Sequence, residues 1–369
     1  MADDAWGNLP EDVRRVLESA RRNELGSPPR KHHLIPASYL RNWEEEGRIR
    51  VTHVDEDRRT YCTAAAKAAR ETDYYRLEAD GLDNELVPPL LAETVLSAIE
   101  GWAVPAVAHL REHGARGIPG DLAAKLALFL GVQTTRGESF RNDNRTLMHE
   151  MFVLEHKDLS DDGIRSLLFE RGIDASDAGV ARARAALEQI KSGDMRLVPQ
   201  DPAMTSMALE IAFEIGETFL ARGWMVYRTP KVLVTCDEPV VTVGGPGFSR
   251  EERAGLATAK VILLPLGPES LLAMFRPDVK PEGPSELDLH EVAEVNREIL
   301  ANTSRWAFER PSRRATLGLR VPPPARPFTT EGPFVVEHGD EERHIYRNFK
   351  PTRWAAEPDT PWPVARLFG

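Results

Sequence analysis

The chain of 369 residues carries 47 basic against 58 acidic side chains, a net charge of −11, so the molecule as a whole does not attract polyanions as a dedicated nucleic-acid binder does. With 41% hydrophobic and 28% charged residues, its composition is that of a globular chain with core enough for one large domain or two ordinary ones. The two cysteines, Cys62 and Cys236, lie too far apart in sequence to suggest a disulfide framework or a paired-cysteine zinc site. The acidic start lacks the basic and apolar regions of a secretory signal, and no run reaches the length of a membrane span. The expected location is therefore the cytoplasm, with no membrane partner.

In chain order, Val13, Val16, Leu17 and Ala20 share one face of a helix over 10–24, with Pro10 suited to its first turn. Residues 1–30 are thus expected to form a helical extension. Ser27-Pro28-Pro29 breaks the chain, and Lys31 to Pro36 leads into a short helix from Ala37 to Glu45. Ile49 to Val54 and Thr60 to Cys62 alternate like strands about an acidic Asp55-Glu56-Asp57 turn, which predicts a hairpin. From Asp83 to His113 the pattern is helical, with Pro105 expected to kink or divide it. Asp121 is suited to cap a long helix running past Gln133 towards Met151, and further helices are expected over 161–171, 176–191 and 203–221.

After Gly223 the periodicity changes. Residues 224–227, 232–235, 240–243, 261–264 and 271–275 are short β-rich runs between Gly and Pro, followed by a helix over 288–303 and a strand at Trp306-Ala307-Phe308. These readings predict an α+β fold, with a mainly helical part (31–221) packed on a small mixed or antiparallel sheet (222–311) in a single domain over 31–311. The Pro-rich remainder, 312–369, is expected to be irregular.

Three polar features stand out against apolar surroundings. Leu126, Phe129, Gln133 and Arg136 fall on one helical stripe, so an amide and a guanidinium continue a buried face. Leaving such an amide unpaired costs roughly 2 to 7 kcal/mol, which calls for partners or a wet pocket. Glu100 and Asp237 are the candidate internal partners of Arg136. His32 and His33, adjacent in an extended segment, diverge so that one faces inward. Either has the chemistry of a general base, general acid or metal ligand, although a histidine before a helix equally often caps backbone or packs on an aromatic such as Tyr39 or Trp43. Asp237 ends the apolar run Val232 to Cys236, where scaffolds present reactive groups. It suits an Asx turn equally well.

Other motifs fail on spacing. Gly244-Gly245-Pro246-Gly247 lacks the following G-K-[ST] of a phosphate loop and reads as a turn, and His109 and His113 lack the H-E-x-x-H order and read as a solvated helix end.

The segment His32-His33-Leu34-Ile35-Pro36-Ala37-Ser38-Tyr39-Leu40 resembles the H-H-x-x-P-x-x-[YF]-L opening of the bacterial domain-of-unknown-function family numbered 4238. Other blocks are similar in order: Thr72-Asp73-Tyr74-Tyr75, Glu93 through Glu100, Gln133-Thr134-Thr135-Arg136 with Arg141 after it, Val234 to Val240 with its D-x-P, Leu264 to Pro268, and Val295-Asn296. The resemblance spans 31–311 and brings Tyr75 and Asn296 into the candidate substrate-binding set. Cys236 and Gly267 replace hydroxyl residues common in the family, which weakens a serine nucleophile at either place. The family is named for lacking an assigned activity, so the resemblance supplies membership and no mechanism.

The residue types support three readings. In the first, a hydrolase, nuclease- or phosphodiesterase-like, acts on an anionic substrate, with His32, His33 and Asp237 catalytic and Gln133, Arg136, Arg141, Tyr75 and Asn296 holding substrate. A divalent metal ion would fit a His32, Asp237 and Glu100 ligand set, without tight ligand spacing to support it. In the second, the same groups bind a nucleotide or nucleic-acid ligand without turnover, as in a sensor or regulator. In the third they form a satisfied structural network.

Overall fold

The computed structural model describes residues 31–54, 58–78, 89–323, 329–338 and 341–369, together with Glu11, Arg14, Arg15 and Glu18. Those four are helical; the rest of the expected N-terminal helix, like the acidic turn at 55–57, lies outside the described residues. The chain forms two units. Met1–Phe140, Asp201–Pro327 and Lys350–Gly369 make the first, and Arg141–Gln200 with Phe328–Phe349 the second.

The first unit is built around an antiparallel sheet of β5 (Gly223–Arg228), β7 (Val241–Val243), β8 (Val261–Gly267) and β9 (Ser270–Phe275), in the order β5-β9-β8-β7. Every residue of β8 and β9 is buried. Side chains alternate between faces of a strand, and here both faces are covered. Ile262, Leu264, Leu272 and Met274 join a cluster with helices α2 (Leu91–His113), α3 (Gly120–Thr135) and α7 (Asp201–Leu220). Val261, Leu263, Leu271 and Ala273 meet Val292, Val295 and Ile299 of α8 (Leu289–Asn302) and Val364 and Leu367 near the C-terminus. Two covered faces explain why these strands read as continuous apolar runs.

A second antiparallel sheet draws strands from both ends of the family-like region. β2 (Ile49–His53) pairs with β3 (Thr60–Thr63), as the hairpin reading predicted, and also with β10 (Trp306–Glu309), which in turn pairs with the two-residue β6 (Thr235–Cys236). A third ribbon joins β1 (Lys31–His33) to β4 (Arg70–Thr72), with His32 opposite Glu71. Between β1 and β2 the chain forms the four-residue helix α1 (Ala37–Leu40). The architecture is α+β.

Several boundaries differ from expectation. α2 continues unbroken through Pro105. It has the length and hydropathy of a membrane span by composition alone, and its Leu91, Val95, Leu96, Ile99, Ala103, Ala106 and Leu110 are buried in the core. Pro119, not Asp121, stands at the cap of α3. That helix stops at Thr135, and α4 (Glu138–His156) begins afresh, with Gly137 between them so close to Glu238 that an added Cβ would meet its carboxylate oxygen at 2.9 Å. Residues 232–234 are not strand, because Asn296 bonds their backbone instead, accepting from the Val234 amide and donating to the Val232 carbonyl, each at 2.9 Å.

The expectation of an irregular tail is corrected. β11 (Thr329–His338) and β12 (Glu341–Phe349) pair in an antiparallel hairpin in the second unit, and the runs Phe334-Val335-Val336 and Ile345-Tyr346 supply the strand-forming residues. Within the first unit, residues 350–369 are anchored by a buried ion pair. Arg250 donates both terminal nitrogens to Glu298 of α8, at 2.5 and 3.3 Å, and Trp354 Nε1 donates to the same carboxylate at 3.1 Å. The guanidinium also lies over the Trp354 and Trp362 rings. The second unit carries α5 (Asp161–Glu170) and α6 (Asp177–Ser192), whose N-cap serines, Ser160 and Ser176, each accept an amide bond at 3.2 Å.

Helices α3 and α7 approach so closely that a Cβ on Gly131 would lie 2.2 Å from the Ala212 carbonyl oxygen. Gly131→Ala is expected to lose about 1 to 3 kcal/mol through overpacking, read from urea unfolding. Arg250→Ala strands the Glu298 carboxylate in the core and is expected to cost about 3 to 5 kcal/mol, with the segment after Lys350 becoming protease-sensitive before the rest. Intact proteolytic resistance in that variant would contradict the anchoring role.

Candidate functional site

The ribbon of β1 and β4 sets the two histidines on opposite sides. His32 is 1% exposed and His33 half-buried. Asp73, after β4, takes a left-handed φ of 55°, a conformation Asp tolerates better than most residues, and the Arg76 amide closes a turn onto its carbonyl. This turn directs the Tyr75 amide at His32 Nδ1, at 2.9 Å, and lays the Tyr75 ring parallel to the imidazole, 5.8 Å between centroids. The aromatic partner of His32 is thus Tyr75 rather than Tyr39 or Trp43. His33 places Nε2 at 3.1 Å from the Ala66 carbonyl and from Arg70 Nε. Burial, with Arg70 and Arg136 nearby, lowers its pKa.

Arg136, at the end of α3, gathers this region. Its Nε donates to the Tyr75 hydroxyl at 3.1 Å, Nη1 to Glu100 of α2 at 2.6 Å, and Nη2 to the His33 carbonyl. Burial alone would disfavour the charge, but the Tyr75 hydroxyl and Glu100 outweigh it and raise the pKa further. The expected internal pairing of Arg136 therefore falls on Glu100. One turn back on the same helix, Gln133 is 3% exposed, with neither amide atom hydrogen-bonded among the described residues.

Glu93 sits two helical turns before Glu100 on α2 and feels His32, Arg136 and Arg70. Burial is the largest influence on it and, with Glu100 adding repulsion, raises its pKa above the ordinary carboxylate value despite those three cations and potential cations. Sequence reading carried Glu93 only as part of a glutamate-containing helix. Its signal was the seven-residue spacing to Glu100, which puts both carboxylates on one face of an otherwise apolar helix.

The other sequence candidates go elsewhere. Asp237 accepts the amides of Ser304, Arg305 and Trp306 at 3.0, 2.7 and 3.0 Å. Burial and then the Glu238 charge push its carboxyl up to about 7, and the three amides pull the other way by favouring the ionised form. It organises the turn into β10, which is the bland alternative its sequence position allowed. Asn296 is spent on the backbone of Val232 and Val234. Arg141 is buried and belongs to the second unit. Among the described residues no three His, Cys, Asp or Glu side chains gather as a metal ion needs, so His32, Asp237 and Glu100 do not form a ligand set. Cys236 is buried, its thiol pushed up by burial and donating to the Glu238 carbonyl.

The four blocks that meet here are among those that carried the family resemblance, and the match is explicit: residues 31–313 fit the family described as a protein of unknown function, DUF4238. The chain belongs to that family. No curated protein and no solved structure matches it.

If Asp237 is a backbone organiser, Asp237→Ala leaves three amides without an acceptor and is expected to cost about 3 kcal/mol or more of folding stability, since each unmet buried group costs about 1 to 3. Asp237→Asn, which keeps one acceptor oxygen, is expected to lose less. Thermal and urea unfolding check both, and an Ala variant as stable as the parent would refute the assignment.

Proposed function

We propose that this member of the DUF4238 family is a hydrolase of anionic esters, nuclease- or phosphodiesterase-like, working where His32, Tyr75 and Glu93 meet. The observation that carries this reading is the amide of Tyr75 donating to His32 Nδ1. An imidazole whose Nδ1 accepts a bond carries its neutral-form proton on Nε2. His32 is therefore cast as an imidazole held in one tautomer beside the reacting group, and the base is the raised carboxyl of Glu93, which takes a proton from the attacking water. Arg136 contributes its fixed charge to the field while three of its donors hold the scaffold. Arg70, exposed beside His33, is placed to meet an incoming anion.

A second reading, a non-catalytic nucleotide- or RNA-binding sensor, is favoured by Gln133. Its amide keeps one donor group and one acceptor unspent, which is the complement of a base edge.

Glu93 must be ionised to act as a base, so turnover is expected to rise with pH through an inflection above 4.5, the unperturbed value from which burial raises it. Glu93→Gln is expected to lower kcat by about 100-fold, within the usual range for a general base, and to abolish that limb of the profile. The measurement is hydrolysis of bis-p-nitrophenyl phosphate and of single-stranded RNA and DNA, with unfolding curves to show that the variant is folded. Saturable nucleotide binding without turnover by the parent would transfer the case to the sensor reading. Neither turnover nor binding would sink both.

A further inference from the structure

Beside Ser139 and Glu238, the first unit holds a cavity of about 270 Å³ that the reading above does not use. Three cationic side chains line it, Arg253, Lys350 and Arg353, together with the hydroxyl residues Ser139, Thr242 and Ser304. In a chain with net charge −11, such a concentration of positive charge needs a local reason.

The two carboxylates at its wall are largely occupied. Glu298 takes both donors from Arg250. Glu238 accepts the Ser139 amide at 2.9 Å and the Ser139 hydroxyl at 2.5 Å, with Arg253 at 3.9 Å. Lys350 Nζ reaches Ser139 Oγ at 3.1 Å. Arg353 is the telling residue. It is 8% exposed, and its guanidinium bonds only the carbonyls of Pro322 and Thr303, at 3.2 and 3.3 Å. No carboxylate lies within ion-pair distance of it among the described residues; burial lowers its pKa, and only the more distant charge of Asp237 pulls the other way. A buried cation whose hydrogen-bond partners are neutral carbonyls is stabilised when an anion comes to it. The buried Thr242 hydroxyl is also without a partner among the described residues.

We propose that this cavity is a binding site for a small ligand bearing a phosphate or carboxylate group, held by Arg253, Lys350 and Arg353 with hydroxyl donors around it. Guanidinium groups match the geometry of either oxyanion, and the volume accommodates a small metabolite rather than a polymer. The site lies apart from His32 and Glu93 and does not depend on their being catalytic.

Titration calorimetry and thermal unfolding of the full chain with inorganic phosphate and, separately, with malonate, at matched ionic strength in chloride, test this. Saturable binding of either probe is expected, with a rise in Tm; which one binds more tightly identifies the anion. Arg253→Gln and Lys350→Gln, both at less buried positions than Arg353, are each expected to weaken binding by about tenfold or more, the loss of one charge-assisted contact. Glu93→Gln is expected to leave it unchanged, which separates this site from the hydrolase reading. No saturable binding of either probe, or equal affinity in the Arg253→Gln/Lys350→Gln double variant shown to be folded, would overturn the proposal.

Discussion

A single buried guanidinium fixes the geometry of the His32 region. Arg136 ends α3, yet its three bonds reach strand β1 through the His33 carbonyl, helix α2 through Glu100, and the turn after β4 through the Tyr75 hydroxyl. A charge removed from water is tolerable only where partners of good geometry replace the lost hydration, so these three segments are held to one mutual arrangement. The consequence reaches beyond the pair itself. Glu100 is committed to Arg136, Glu93 on the same helix feels the charges of His32 and Arg136, and because Tyr75 is gripped at its hydroxyl, its amide stays aimed at Nδ1.

The core makes this arrangement affordable. β8 and β9 are apolar on both faces, so helices α2, α3 and α7 can pack on one side while α8 and the C-terminal residues cover the other. The close approach of α3 to α7 at Gly131 places the C-terminal end of α3, and hence Gln133 and Arg136, deep in the unit. The C-terminal segment contributes as well: held by Arg250 and Glu298 through Trp354, it supplies Lys350 and Arg353 to the cationic cavity.

Neighbouring acids at 237 and 238, in the bend that follows β6, divide their roles. Asp237 meets the amides of 304–306 while Glu238 meets Ser139 at the beginning of α4. The sequence marks the pair as a strand end with acids but gives no sign of which neighbours each will find, since both partners lie well over fifty residues away.

Local chemistry was legible in the chain itself. The helices expected over 161–171, 176–191 and 288–303 form at 161–170, 177–192 and 289–302, the β2/β3 hairpin followed from alternation, and the divergence of His32 and His33 from the geometry of an extended strand. The ordered blocks that resemble the family also identified membership. What the tertiary structure alone decided was pairing. It gave Arg136 to Glu100 rather than Asp237, spent Asp237 and Asn296 on backbone, brought Glu93 to His32, and placed Lys350 and Arg353 in a wall shared with Ser139. Periodicity reports which face of an element is buried, whereas the partner across the core depends on how distant elements pack, and no local pattern encodes that.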